Sequence, residues 1–166
     1  MFRYECVWDK VMPVAFLLAK IQPLRRHENI LLFGNGKVYN PIKIKGRFRN
    51  KTPVRKGVDG VYGIYKGEDI KNFNDEYYPT TIVEWSNADQ ANKEHPTQKP
   101  VGLFEYLIRT YSNENDLVFD GFGGSGTTAI AAHKSKRNFI VIEKEQKYFD
   151  LATRRLDNER TQFSLL

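Results

Sequence analysis

Eleven consecutive residues, Val118-Phe119-Asp120-Gly121-Phe122-Gly123-Gly124-Ser125-Gly126-Thr127-Thr128, carry the clearest chemistry in this chain. An apolar run ending at a carboxylate reads as a buried parallel strand that delivers Asp120 to its carboxyl end. The glycines that follow let the backbone turn tightly and approach a ligand with no Cβ in the way. Ser125 or Thr127 can cap the next helix, whose first N–H groups face the same ligand. Gly121, Gly123 and Gly126 satisfy G-x-G-x-x-G, the dinucleotide pattern. Glu143 follows Gly126 by 17 residues, at the end of the apolar run Phe139-Ile140-Val141-Ile142. A carboxylate there can hold the ribose hydroxyls of NAD or of any other adenosine-bearing cofactor. A ligand-free strand-to-helix turn is the bland alternative. On its own, then, the loop reads as an adenosine-cofactor site in the crevice where open α/β sheets bind ligands.

The elements that position this loop follow from periodicity. Phe2 to Asp9 alternates and is rich in strand formers, as expected of a strand; Met12 to Gln22 is a short helix or packed loop; Ile30 to Phe33 is a buried strand closed by Gly34-Asn35-Gly36. Thr80 to Trp85 reads as a further strand. Phe104, Leu107, Ile108 and Tyr111 recur at helical spacing behind Pro100, which suits a first helical turn. The last segments are strand 117–119, an alanine-rich helix over 127–136, strand 138–143 and a helix over 146–158 burying Phe149, Ala152 and Leu156. That order implies a right-handed βαβ unit with parallel strands.

Residues 41 to 58 hold seven basic residues and no acidic one. Lys43, Lys45, Arg47, Arg49 and Lys51 fall on alternate positions, so an extended strand would turn all five to one face. Their spacing would be roughly 6.6 Å, close to two phosphate steps of a nucleic-acid strand. Either the run is a solvated basic surface or it is an arm that tracks phosphates without reading bases. Residues 57 to 79 add glycines and the tyrosines Tyr62, Tyr65, Tyr77 and Tyr78, and read as a loop-rich insertion.

Composition sets the outer bounds. The chain has 166 residues, 40% hydrophobic and 28% charged, with net charge +6, which suits one domain with a core and is compatible with a polyanionic partner. A single cysteine, Cys6, excludes an internal disulfide and a cysteine-based metal site, and reads as a buried apolar residue. His27 is a structural histidine. No metal site is expected, no apolar run is long enough to span a bilayer, and no signal pattern opens the chain, so the expected compartment is the cytoplasm.

The segment His95-Pro96-Thr97-Gln98-Lys99-Pro100 with a helix after it, then Phe119 to Thr128, then Ile142-Glu143, resembles the amino-group DNA methyltransferases. These are the adenine-N6 and cytosine-N4 enzymes, in the circular order that places the cofactor loop near the C-terminus. Leu24 to Leu31 also looks like the segment before target recognition in that family, and the resemblance is weakest over residues 41–90. It implies a Rossmann-like α/β sheet with helices on both faces, N-terminally truncated, in which 1–166 is a single incomplete domain and 41–90 an inserted target-recognition region. It implies S-adenosylmethionine (SAM) in place of NAD. Asp120 and the backbone of Phe122, Gly123, Gly124, Ser125 and Gly126 would embrace its methionine part. Ser125, Thr127 and Thr128 would support the loop, and Glu143 would hold the ribose. Thr97, Gln98, Lys99 and Pro100 would close over the amino-acid end. Double-stranded DNA is the implied partner, with Lys43, Lys45, Arg47, Arg49 and Lys51 on its phosphates.

Two departures from the family pattern stand out. Gly121 replaces the proline usual after the acid. No two prolines are adjacent anywhere, so the Asp/Asn/Ser-Pro-Pro-aromatic acceptor loop of the family is missing and no catalytic residue is assigned. The chain therefore reads as the C-terminal part of a methyltransferase of restriction-modification or phage kind. It is expected to work with a separate chain that supplies the loop, or as a homodimer; the alternative is an inactive remnant that holds SAM or DNA.

Overall fold

The computed structural model describes residues 1–51, 72–87, 95 and 97–163, with the side chains of 50, 51, 72, 73 and 163 left aside. Two compact units emerge, one formed by Met1–Pro41 with Thr80–Leu166 and the other by Ile42–Pro79.

In the first unit, β1 (Phe2–Val14) pairs antiparallel with β2 (Arg25–Phe33) and parallel with β5 (Ile82–Glu84). Both β1 and β2 outrun their sequence expectation. His27 and Glu28 thereby become strand residues, and His27 lies opposite Asp9, which takes both Arg26 nitrogens at 2.7 and 2.8 Å. The segment left open between helix and loop forms a single 3-10 turn, Phe16–Leu18. Cys6 is buried, and burial first of all pushes its thiol up from the ordinary range.

Helix α1 (Val101–Tyr111) packs Leu103, Phe104, Tyr106 and Leu107 against this sheet. Trp8, Val83 and Leu103 form the buried centre, with Ile30, Trp85, Phe104, Tyr106 and Leu107 around them. At the far end of α1 the Tyr111 hydroxyl meets the Tyr4 hydroxyl at 3.0 Å, and burial followed by that bond raises the Tyr111 pKa.

The βαβ unit forms as its periodicity requires. β6 (Leu117–Asp120) and β7 (Asn138–Val141) pair parallel through α2 (Thr127–Lys134), and α3 (Gln146–Phe163) follows. Ala129, Ala131 and Ala132 are buried, which lets α2 approach the strands closely. Among the described residues of α3, Leu151 is buried, whereas Phe149 is half exposed, contrary to expectation. Nor is β6 buried on both sides. Leu117, Phe119 and Ile140 share the face opposite α2 and stand 60%, 65% and 49% exposed. Among the described residues, helices cover one face of this pair, and no strand joins β6 to the β2-β1-β5 sheet. The sheet expected as one piece is thus present in parts.

The second unit is a hairpin of β3 (Ile44–Lys51) and β4 (Asn72–Tyr77). The register sets Lys45 opposite Glu76 and Arg49 opposite Asn74, so two extra residues of β3 bulge between them and interrupt the even alternation of cations. Lys43 pairs with Glu76 at 2.9 Å. Arg49 lies over the Tyr77 ring at 4.0 Å and donates to Asn74 at 3.0 Å, so it holds the hairpin together. Lys45 and Arg47 are exposed. Tyr62, Tyr65, Arg55, Lys56 and the Lys51 side chain lie outside the described residues, as do Pro96 and residues 88–94.

Among the described residues no helix is long and apolar enough to cross a membrane. Ala131, fully buried in α2, tests the packing of the βαβ unit. Ala131→Leu should overpack it and cost about 1–3 kcal/mol in thermal unfolding, whereas Phe16→Ser, on the exposed turn, should change stability by less than about 0.5 kcal/mol.

Candidate cofactor site

Asp120 ends β6 and organises the turn after it. Its Oδ1 accepts the Phe122 N–H at 2.9 Å, and its Oδ2 accepts the hydroxyl of Thr128, the second residue of α2. The next strand secures the other side of the loop. The Ile142 carbonyl accepts the Gly123 N–H at 2.8 Å, and Glu143 Oε2 accepts the Gly124 N–H at 2.7 Å. Glu143 Oε1 accepts the Glu145 N–H at 2.9 Å. Backbone N–H groups of Glu145 and Gly124 hold the Glu143 carboxyl below its ordinary range. Both strand-end acids therefore shape the loop through its own backbone.

Two of the glycines are sterically required. A Cβ on Gly123 would meet Val141 Cγ1 at 2.3 Å. Gly126 has φ +75°, and a Cβ there would meet the Ala152 Cβ at 2.7 Å. Gly126 is itself the N-cap of α2, with no side-chain cap, which corrects the expectation that Ser125 or Thr127 caps the helix. Those hydroxyls are used otherwise: Ser125 and Thr127 lie 3.3 Å apart, and Thr127 Oγ1 donates to the Lys99 carbonyl at 3.3 Å. The cap falls to glycine because the left-handed conformation that starts α2 against α3 admits no Cβ.

The segment before α1 faces this loop. His95 Nδ1 accepts the Thr97 N–H at 3.2 Å, and the Gln98 N–H reaches the His95 carbonyl at 3.1 Å. The His95 ring meets Tyr148 edge-on at 4.1 Å and lies 3.6 Å from where a Gly124 Cβ would stand. Pro100 is the extended N-cap of α1.

These elements enclose a cavity of about 680 Å³, a size suited to a nucleoside-sized ligand. Thr97, Lys99, Asp120, Phe122, Gly123, Gly124, Ser125, Thr127 and Thr128 line it. Gln98, Pro100, Gly126 and Glu143 do not line it; they support the residues that do. The Gln98 side-chain carbonyl is buried with no hydrogen-bond partner among the described residues. His95 and the α1 residues Phe104, Leu107, Ile108 and Tyr111 also line the cavity. The α1 stripe was visible in the sequence as a packing face, with nothing to mark it as a cavity wall.

The match with known proteins fits this geometry. The model of the DNA methylase family, the N6/N4 methyltransferases, matches residues 2–154. The chain belongs to that family. The Type II methyltransferase M2.LlaDCHI of Lactococcus lactis subsp. cremoris is 37% identical over 100 residues, which is 58% of this chain and 37% of that protein. The Type II methyltransferase M.HinfI of Haemophilus influenzae is 47% identical over 68 residues, 41% of this chain and 19% of that one. The crystal structure of an M1.HpyAVI–SAM complex superposes with TM-score 0.62 at 27% identity, over 95% of this chain and 63% of that one. The cytosine-N4-specific PvuII DNA methyltransferase shares the fold at 18% identity and TM-score 0.60, over 97% of this chain and 57% of that one. This member of the methylase family thus spans under two-fifths of these curated relatives and about three-fifths of these solved structures.

The glycine cradle can be tested by substitution. Gly126→Ala should cost at least about 1–2 kcal/mol from the left-handed backbone alone. At Gly121 a Cβ would meet only the Phe119 ring at 3.7 Å. Gly121→Ala should therefore stay within about 0.5 kcal/mol. Glu143 gives a pH test. Its folded carboxyl lies below the unfolded value, so its contribution is complete above the ordinary carboxylate range and lost as the pH falls through the folded value. The melting-temperature gap between the chain and Glu143→Gln should be widest near neutral pH and close in acid. A gap independent of pH would show that the charge does not hold the loop.

Proposed function

We propose that the chain provides the SAM-binding part of a DNA methyltransferase that modifies an exocyclic base amine, adenine N6 or cytosine N4. The observation that carries this reading is the glycine loop, held by Asp120 and Glu143 across a nucleoside-sized cavity from Thr97 and Lys99. The residues fit the group. Gly123 and Gly126 let the loop pack on Val141 and Ala152, which any Cβ would prevent, and so hold its backbone at the cavity wall. Asp120, Thr97 and Lys99 on the cavity wall offer partners to a ligand that carries hydroxyls, an amine and a carboxylate. SAM supplies an electrophilic methyl group on a sulfonium. Asp120 and the loop backbone bind and orient the methionine part, Thr97 and Lys99 close over its end, and the α1 wall excludes water from the apolar side.

An exocyclic amine has its lone pair delocalised into the ring, so transfer needs a hydrogen-bond acceptor beside that nitrogen. None of the residues described here offers the acceptor-proline loop of the family. On this reading a polypeptide carrying that loop completes the enzyme, and the unit Ile42–Pro79 belongs to target recognition. The Type II names of the relatives support a place in restriction-modification. Double-stranded DNA is the partner, met through phosphates by Lys45 and Arg47; Lys43 and Arg49 are engaged within the hairpin.

Calorimetric titration tests the cofactor. SAM should bind and NAD should not; binding of NAD alone would revive the dinucleotide reading. Asp120→Ala removes a charged hydrogen-bonding group, so it should weaken SAM by roughly tenfold to hundredfold. The 166-residue chain alone should transfer no label from SAM to DNA, and labelled DNA would refute the need for a second polypeptide. For the arm, Lys45→Ala with Arg47→Ala should reduce the salt slope of DNA binding by roughly 1.8. An unchanged slope would reduce these cations to solvated surface.

A further inference from the structure

Glu28 stands on β2, outside the glycine loop and outside the cavity lining. Its Oε2 accepts from Lys99 Nζ at 3.0 Å, and its Oε1 accepts from Lys10 Nζ at 2.7 Å. The Lys10 side chain is 7% exposed. Both ammonium groups also face the Trp8 ring, 5.5 and 5.7 Å from its centroid. Trp8 Nε1 donates to the Trp85 carbonyl at 2.8 Å, and the Trp85 indole packs so closely on α1 that a Cβ on Gly102 would meet it at 2.7 Å. One carboxylate therefore serves two cations over one indole. Burial alone would raise the Glu28 carboxyl; hydrogen bonds from Lys10 and Lys99 outweigh it and hold the carboxyl below its ordinary value.

Lys99 joins this cluster to the cavity. Lys99 lines the cavity wall, its side chain reaches Glu28, and its carbonyl accepts from Thr127 at the head of α2. A lysine has many rotamers, and fixing it before a ligand arrives removes an ordering cost from binding. We infer that Glu28 is a positioning residue for the cofactor segment: by holding Lys99 it makes SAM affinity depend on the β1–β2 hairpin. Glu28 touches no cofactor and acts only through Lys99. The inference rests on the proposed SAM reading.

The chain contains two tryptophans, and both belong to this cluster, so tryptophan emission reports it directly. SAM should be titrated into the whole chain and into Glu28→Gln, Lys10→Met, Lys99→Met and the Glu28→Gln/Lys99→Met double variant. Calorimetry, tryptophan emission and thermal melting are read in parallel. SAM should change the emission of the whole chain, and the change should shrink in Glu28→Gln. Glu28→Gln should weaken SAM by about tenfold, as a coupling between separate groups typically does. The double variant should bind no worse than Lys99→Met, because both substitutions break one interaction. Lys10→Met should lower the melting temperature and leave affinity within about twofold, since the Glu28–Lys99 bond survives it.

If Glu28→Gln fails to fold, Glu28→Asp replaces it. Its shorter side chain cannot reach both ammonium groups where they stand, and a severalfold loss of affinity is expected. Unchanged affinity in either Glu28 variant overturns the inference. So does a loss that tracks melting temperature equally in Lys10→Met and Glu28→Gln, which would make the cluster merely structural. Failure of the unmodified chain to bind SAM overturns the proposed function instead, and this inference with it.

Discussion

Asp120 accepts two hydrogen bonds from opposite ends of one turn, and the site takes its shape from that constraint. The Phe122 N–H opens the loop and the Thr128 hydroxyl belongs to the helix that closes it. A carboxylate is suited to this because it offers two oxygens and several acceptor directions at the end of a strand. Glu143 repeats the device from β7, with one oxygen on Gly124 and the other on Glu145. The loop is therefore clamped between the ends of two parallel strands, and its glycines allow the clamp to close. With a side chain at 123 or 126 the backbone could not reach Val141 or Ala152 as it does.

The opposite wall of the cavity is held by different chemistry. In the segment 97–100, His95 fastens Thr97 and Gln98, and the buried Pro100 starts α1. The position of the segment comes from Lys99, whose carbonyl faces α2 and whose ammonium reaches across to β2. Cations shared between a carboxylate and an indole face satisfy their charge without full hydration, which suits Lys10 in its nearly buried position. The loop wall is thus set by local backbone bonds and the segment wall by a long-range ionic contact.

That difference decides what could be read from the sequence. The glycine pattern, the strand-end acids and the βαβ order are local, and each left a legible spacing between Val118 and Glu143. Alanines in α2 marked close packing in the same way. The Glu28–Lys99 bond joins residues 71 positions apart, and nothing near either of them announces it. The α1 stripe was legible as apolar, but periodicity cannot separate a side chain that fills a core from one that walls a cavity. The cap of α2 was misplaced because a serine and a threonine stand beside a glycine, and the left-handed backbone needed against Ala152 outweighed a hydroxyl bond. In the hairpin the alternating cations were visible, yet the bulge and the engagement of Lys43 and Arg49 depend on β4, whose register the basic run does not encode.

The apolar surface beside the cavity bears on the proposed two-part enzyme. Parallel strands are ordinarily covered on both faces. Here Leu117, Phe119 and Ile140 are open, and Phe122 at the loop tip is 95% exposed. Leu117, Phe119 and Phe122 also line the cavity. A polypeptide that brought an acceptor loop to the end of β6 would cover these same side chains and narrow the cavity from that side. Cofactor and covering chain would then share groups, so each would raise the affinity of the site for the other by the same factor. Transfer to an amine needs both the acceptor and the methyl donor in one dry pocket. On that reading the apolar residues shared by both would couple the arrival of one to the arrival of the other.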